Sequence, residues 1–114
     1  MQHDMSLSIK TAGVFLLYQG KFAFMIGPNR YDNNLGVVRL GGHVEQGENL
    51  IQSVIREVRE EARVEICIAS SPVTYYKLSW ENLYYQIVSD TKQQSNPVIV
   101  VGDKNRATSI YFAY

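Results

Sequence analysis

Residues 48–62 constrain this chain more than any other stretch, because they carry its strongest helical periodicity. Ile51, Val54, Ile55, Val58 and Ala62 recur at helical spacing. At about 100° per residue they cover an arc of roughly 100°, the width of stripe that a globular core buries. The segments around this helix read as short strands. Met5, Leu7 and Ile9 alternate with polar residues, as a strand beginning does. Val14–Tyr18 and Phe22–Ile26 are apolar runs separated by Gln19-Gly20-Lys21, the pattern of a β-hairpin with Gly20 in the turn. Gly27–Asn34 holds Pro28 and three asparagines and is expected to be a loop. Val37-Val38 is expected to be a short strand ended by Gly41-Gly42. Beyond the helix, Val64–Ala69, Val73–Trp80, Leu83–Val88 and Val98–Val101 read as strands, Asp90–Pro97 as a polar loop and Gly102–Arg106 as a break. The run Ser109–Tyr114 is apolar and ends with the chain. One strong helix among many strands predicts an α+β or α/β sandwich, with residues 1–114 forming one domain.

Composition narrows the function. Of the 114 residues 46% are hydrophobic, enough for one packed core and too much for a disordered chain. Lys plus Arg equal Asp plus Glu at 11 each, so there is no bulk electrostatic reason to bind nucleic acid or an anionic membrane. Cys67 is the single cysteine, so no internal disulfide forms; within the apolar run Val64–Ala69 it is expected to be a buried, inert thiol. No apolar run approaches the roughly 20 residues of a membrane span. The N-terminus carries Asp4 and lacks the basic-then-apolar order of a signal peptide, so the expected location is cytoplasmic.

The polar side of the helix carries chemistry. Glu57, Glu60 and Glu61 fall on a second arc bordering the apolar one. Like charges at this spacing repel, so something positive should offset them. Arg56 and Arg59 are one answer, and a solvated face laced with ion pairs is then the reading. By the same angular count, however, Arg56, Arg59 and Arg63 project mostly away from the carboxylates. A hard divalent cation, which prefers oxygen ligands, is the other answer. The helix by itself favours the solvated face. The preceding loop reverses that preference. Gly41-Gly42 allows a close backbone approach, Gly47 follows, and Glu45 and Glu48 add two further acids at fixed offsets.

Together these residues resemble the Nudix signature: Gly, five residues, Glu, seven residues, then Arg-Glu-aliphatic-any-Glu-Glu-any-Gly-aliphatic. Gly42, Glu48, Arg56, Glu57, Val58, Glu60, Glu61 and Val64 match eight of its nine specified positions. The ninth, the final glycine, is Arg63 here. That glycine suits a left-handed helix cap, which would cost an arginine on the order of 1 kcal/mol, so the helix is expected to end differently or run one residue further. The resemblance implies an α/β/α sandwich with a mixed sheet. Family members add a helix after the last strands. None can follow Tyr114 here, so the domain is expected to be minimal, truncated or completed by a partner, a homodimer among the options.

The resemblance further implies hydrolysis of a nucleoside diphosphate linked to another group, that is, of a phosphoric anhydride bond, with Mg2+ or Mn2+. By position Glu57, Glu60 and Glu61 would be metal ligands, with the Gly41 carbonyl a further one. Arg56 would orient the glutamates through a salt bridge, and Glu48 would support the site from the loop. Candidates for the catalytic base are Glu57, Glu60, Glu45, Glu81 and Asp103. Outside the motif, Arg30 and Arg39 are candidates for binding phosphate, and Tyr31 and Trp80 for stacking a nucleobase. His43 and the tyrosines of the second half read as surface and strand-packing residues. Three functions stay open: a metal-dependent pyrophosphohydrolase, a nucleotide-sensing domain without catalysis, and an incomplete domain that needs another chain.

Overall fold

The computed structural model describes residues 8–28, 34–88 and 95–114. Within them the chain order is β1 (Ile9–Tyr18), β2 (Lys21–Ala23), β3 (Met25–Pro28), β4 (Leu35–Val38), β5 (Leu40–His43), α1 (Leu50–Ala62), β6 (Ile68–Ala69), β7 (Thr74–Lys77), β8 (Gln86–Val88), β9 (Ile99–Asp103) and β10 (Arg106–Ala113). Eight strands form one mixed sheet along the path β2-β1-β10-β9-β7-β8, with β5 added to β1 and β6 to β10. β3 and β4 pair separately as an antiparallel hairpin. The fold is therefore mixed α/β, with one helix among the described residues.

The centre of the sheet is the parallel pair β1 and β10, in register from Ala12 opposite Ser109 to Leu16 opposite Ala113. β5 and β2 share the outer edge of β1: β5 takes its first half, from Thr11 to Val14, and β2 its last residues. The β1–β2 turn has positive φ at both Gln19 and Gly20, the twist that a two-residue hairpin requires. Alternation along the strands then sorts the two faces. Ala12, Val14, Leu16, Tyr111 and Ala113 meet Leu40 and the helix residues Val54 and Val58 in one buried cluster. The other face carries Phe15, Phe22 and Phe112, whose ring centroids lie 6.1–6.5 Å apart.

α1 starts and stops for local reasons. The Asn49 side chain accepts from the Gln52 N–H, and the Gln52 side chain accepts from the Asn49 N–H, a reciprocal capping box. At the other end Arg63 takes the left-handed conformation, with φ 59° and ψ 38°. The expectation that the helix would end differently is thus corrected: the arginine adopts the conformation that glycine tolerates better. Its backbone N–H still reaches the Arg59 carbonyl at 3.0 Å. Arg63→Gly should therefore stabilise the chain by about 1 kcal/mol, a rise of about 4 °C in Tm on calorimetry. No gain in Tm would show that the strain is relieved elsewhere.

Several expectations need correction. The helix stripe is centred on Ser53, Val54 and Val58, all buried, and Ala62 is exposed. Gly41-Gly42 does not end a strand; it lies inside β5. Phe22–Ile26 divides between β2 and β3, broken at Phe24. Val64–Ala69 contributes only the two residues of β6, and Cys67 is exposed there, not buried. Ser109–Tyr114 is no remnant: it supplies most of β10, the central strand. The strand expected from Met5, most of the loop 27–34 and residues 89–94 fall outside the described residues. Among the described residues no helix is long and apolar enough to cross a membrane.

Candidate functional site

The site grows from the contact between α1 and β5. Leu40 enters the core beneath the helix, which fixes Gly41 and Gly42 against its polar flank. A Cβ on Gly42 would collide with the Glu57 carboxylate, so this glycine is what lets Glu57 lie directly on the β5 backbone. One residue back, the Gly41 N–H donates to Glu61 Oε1 at 2.9 Å. Glu57 and Glu61 are thereby held on the same strip of backbone, one helical turn apart.

Arg56 organises the rest. Its Nε and Nη2 donate to the two oxygens of Glu48, at 2.6 and 3.1 Å. Its Nη1 reaches Glu57 at 2.6 Å and Glu60 at 3.2 Å, and lies 3.6 Å from Glu45. Nη2 also donates to the His43 carbonyl at 3.1 Å. The angular count placed Arg56 away from the carboxylates; the long side chain curls back and sits among them. Arg59 does project away, pairing with Glu65 at 2.6 and 2.8 Å.

Charge and burial set the proton affinities. The bidentate Arg56 bond, helped by the Glu45 N–H at 3.0 Å, holds the Glu48 carboxyl below its usual range. The same glutamate raises Arg56 further above its already high value, with Glu57 adding a second hydrogen bond. Glu61 moves the other way: desolvation raises it, the charges of Glu57 and Glu60 add to the rise, and the Gly41 N–H opposes them. Among the described residues, no three of His, Cys, Asp and Glu converge as metal donors in this arrangement. The Glu60 side chain is 60% exposed, however, and is free to swing. The donor chemistry, all carboxylate with a strand backbone beside it, suits a hard cation.

Replacing Arg56 tests this network. Glu48 has a depressed pKa, so the stability it gains from Arg56 is full above its ordinary value of 4.5 and is lost as pH falls through the depressed folded value. The Tm difference between the wild type and Arg56→Ala should therefore be full above that pH and close below it. Arg56→Lys should recover little of it, since an ammonium cannot reproduce the two-point bond. A Tm difference that ignores pH would remove Glu48 as the main partner.

The remaining expected residues scatter. Asp103 caps its own turn, accepting the Asn105 and Arg106 N–H groups at 2.8 and 2.9 Å, and belongs to the β9–β10 connection. Glu81 makes no polar contact with the glutamate group. Arg30 and Tyr31 lie outside the described residues. Arg39 lies over the Trp80 ring, 5.1 Å from its centroid, and lines a cavity of about 390 Å³ on the sheet face away from α1. The backbone of Gly41 and Gly42 forms part of that cavity's wall. Two features escaped the sequence reading. The capping box was visible as Asn-x-x-Gln before an apolar run; the Arg39–Trp80 pair has no local signal.

Comparison of the chain with protein-family models finds no match, and comparison with curated proteins finds none either.

Proposed function

We propose that this chain is a Nudix-type pyrophosphohydrolase that cleaves a nucleoside diphosphate linked to another moiety. One observation carries the reading: four glutamates, Glu45, Glu48, Glu57 and Glu60, gather around Arg56, a fifth, Glu61, accepts from the Gly41 N–H, and a ligand-sized cavity lies on the other side of that strand. The eight matched motif positions supply the order in which those residues occur. In this reading the domain is the family's α/β/α sandwich reduced to the layers described, in a cytoplasmic setting.

The residues divide the work as follows. Glu57, Glu60 and Glu61 would hold Mg2+ or Mn2+, with the Gly41 carbonyl beside them. When bound, the metal supplies polarisation of a phosphoryl oxygen and a water of lowered pKa. Arg56 offsets the mutual repulsion of the carboxylates and fixes Glu48, which braces the approach to the helix. Among the base candidates around Arg56, Glu45 and Glu60 have open side chains, 67% and 60% exposed against 16% for Glu57, and so the better access to a water.

A second reading has its own observation. Arg56 sits among the carboxylates where a cation would gather them, which favours a domain that binds a nucleotide without cleaving it. Incubation with magnesium and a panel of nucleoside diphosphate derivatives separates the two. Phosphate-containing products support the hydrolase. Tight binding of one derivative with no turnover of any supports the sensor and sinks the hydrolase. Isothermal titration with Mn2+ alone checks the metal site without reference to activity. Sedimentation of the folded chain decides whether it requires a second copy.

A further inference from the structure

The cavity behind Gly41-Gly42 has an unusual charge balance. Its walls include Phe15, Phe24, Val37 and Val38, and Thr11 and Thr108 lie on its floor, their hydroxyls bonded to each other. Among the described residues Arg39 is the one charged residue lining it, and no carboxylate lines it. Among the described residues the guanidinium makes no hydrogen bond and no ion pair; its contact is with the Trp80 ring. The guanidinium is partly buried with no anion beside it among the described residues, so its charge is one that an anionic ligand would offset. The topology places Trp80 in the β7–β8 connection, on the far side of β1 and β10 from Arg39. The pair therefore bridges the open face of the sheet, and Lys77 Nζ donates to the Trp80 carbonyl at 2.9 Å.

We propose that this cavity binds an oxyanion, a phosphate or carboxylate carried on an apolar or aromatic group, with Arg39 as its ligand and Trp80 positioning the guanidinium. A guanidinium offers two parallel N–H bonds to such a group, which an ammonium cannot. The apolar walls take the body of the ligand. This deepens the pyrophosphohydrolase reading, and rests on it only for the consequence that the substrate carries a second anionic group beyond its diphosphate. The separation is physical: the β5 backbone stands between the cavity and the carboxylates, so the two anionic ends of one ligand would be held on opposite sides of it.

The test uses the full chain in EDTA, without diphosphate, so absence of hydrolysis cannot affect it. Phenyl phosphate, benzoate and benzyl alcohol are titrated while the fluorescence of Trp80, the single tryptophan, is followed. The Arg39 Nε–H resonance of labelled protein is followed in parallel. At least one oxyanion should bind about 10-fold or more tighter than benzyl alcohol, the scale of a charge-assisted hydrogen bond. Arg39→Gln should erase that advantage and Arg39→Lys keep part of it. Preference between phenyl phosphate and benzoate identifies which oxyanion fits. Equal binding of all three, no binding of either oxyanion, or a preference that survives Arg39→Gln overturns the proposal. The wild-type comparison decides by itself if Arg39→Gln does not fold.

Discussion

Glu61→Gln should abolish turnover and, without metal, make the protein more stable. The two effects share a cause. Glu61 is raised above its ordinary pKa of 4.5 by desolvation and by Glu57 and Glu60, so its charged form is disfavoured in the folded chain. Above 4.5 the unfolded chain binds fewer protons than the folded one, and stability falls as pH rises through that window. Glutamine keeps an oxygen that can accept from the Gly41 N–H and removes the charge. In EDTA the Tm of the variant should therefore exceed that of the wild type, with the gap opening above pH 4.5. Saturating Mg2+ should invert the order. A ligand at 100 times its Kd stabilises by about 2.7 kcal/mol, and only the wild type would receive it in full. Activity should fall by at least about 100-fold, since even residues behind a metal's ligands account for 10–100-fold. A variant that is less stable at every pH would make Glu61 a structural partner of Gly41 and nothing more. Surviving turnover would show that the metal assignment is wrong.

The helix was legible because its information is local. Ile51, Val54, Ile55 and Val58 set its buried side within one stretch, and the Asn49–Gln52 capping pair, which the reading missed, fixes its start just as locally. The strands were legible as apolar runs, but their places were not. β10 is the clearest case: Ser109–Tyr114 looks like a cut end, and becomes the sheet's centre only through parallel pairing with β1, about a hundred residues earlier. Gly41-Gly42 shows the opposite failure. Glycine pairs usually stop strands, yet here the pair stays in the strand because the β1 backbone at Gly41 and the Glu57 carboxylate at Gly42 need the space. Cys67 was placed inside by its apolar neighbours, although the segment scarcely pairs and leaves it exposed.

The site divides in the same way. The order of the glutamates was readable, and the structure sets Glu45, Glu48, Glu57 and Glu60 around the Arg56 guanidinium and Glu61 on the Gly41 N–H. The position of Arg56 was not readable from helix angles, because a count at Cβ ignores the reach of a guanidinium. Arg39 and Trp80 come from opposite edges of the sheet, so no window of sequence could have paired them. Each was named as a candidate for substrate binding, but not as one unit.

Alanine at Gly41 and alanine at Gly42 should fail in different ways. At Gly41, φ is +143°, and a Cβ would collide with the Ala12 carbonyl oxygen and lie 2.5 Å from Gly13 Cα. Both neighbours are backbone in the strand that forms the sheet's centre, and neither can move without breaking the β1–β5 pairing. Gly41→Ala should destabilise the chain by more than about 3 kcal/mol, visible as a collapsed Tm or insoluble protein. At Gly42 the obstacle is the end of a flexible side chain: a Cβ would collide with Glu57 Oε2 and lie 2.6 Å from its carboxyl carbon. Glu57 can swing aside, so Gly42→Ala should fold with a change in stability of under about 1 kcal/mol. It should still displace Glu57 from the Gly41-Gly42 backbone and loosen its bond to Arg56. Turnover and Mn2+ affinity should then fall together, by about 10–100-fold. The contrast is what tests the site. If Gly42→Ala binds Mn2+ and turns over substrate as the wild type does, the seat of Glu57 on this backbone has no part in the chemistry. If both variants merely unfold, the glycine pair is a packing device, and the carboxylates above it lose their claim to a dedicated metal site.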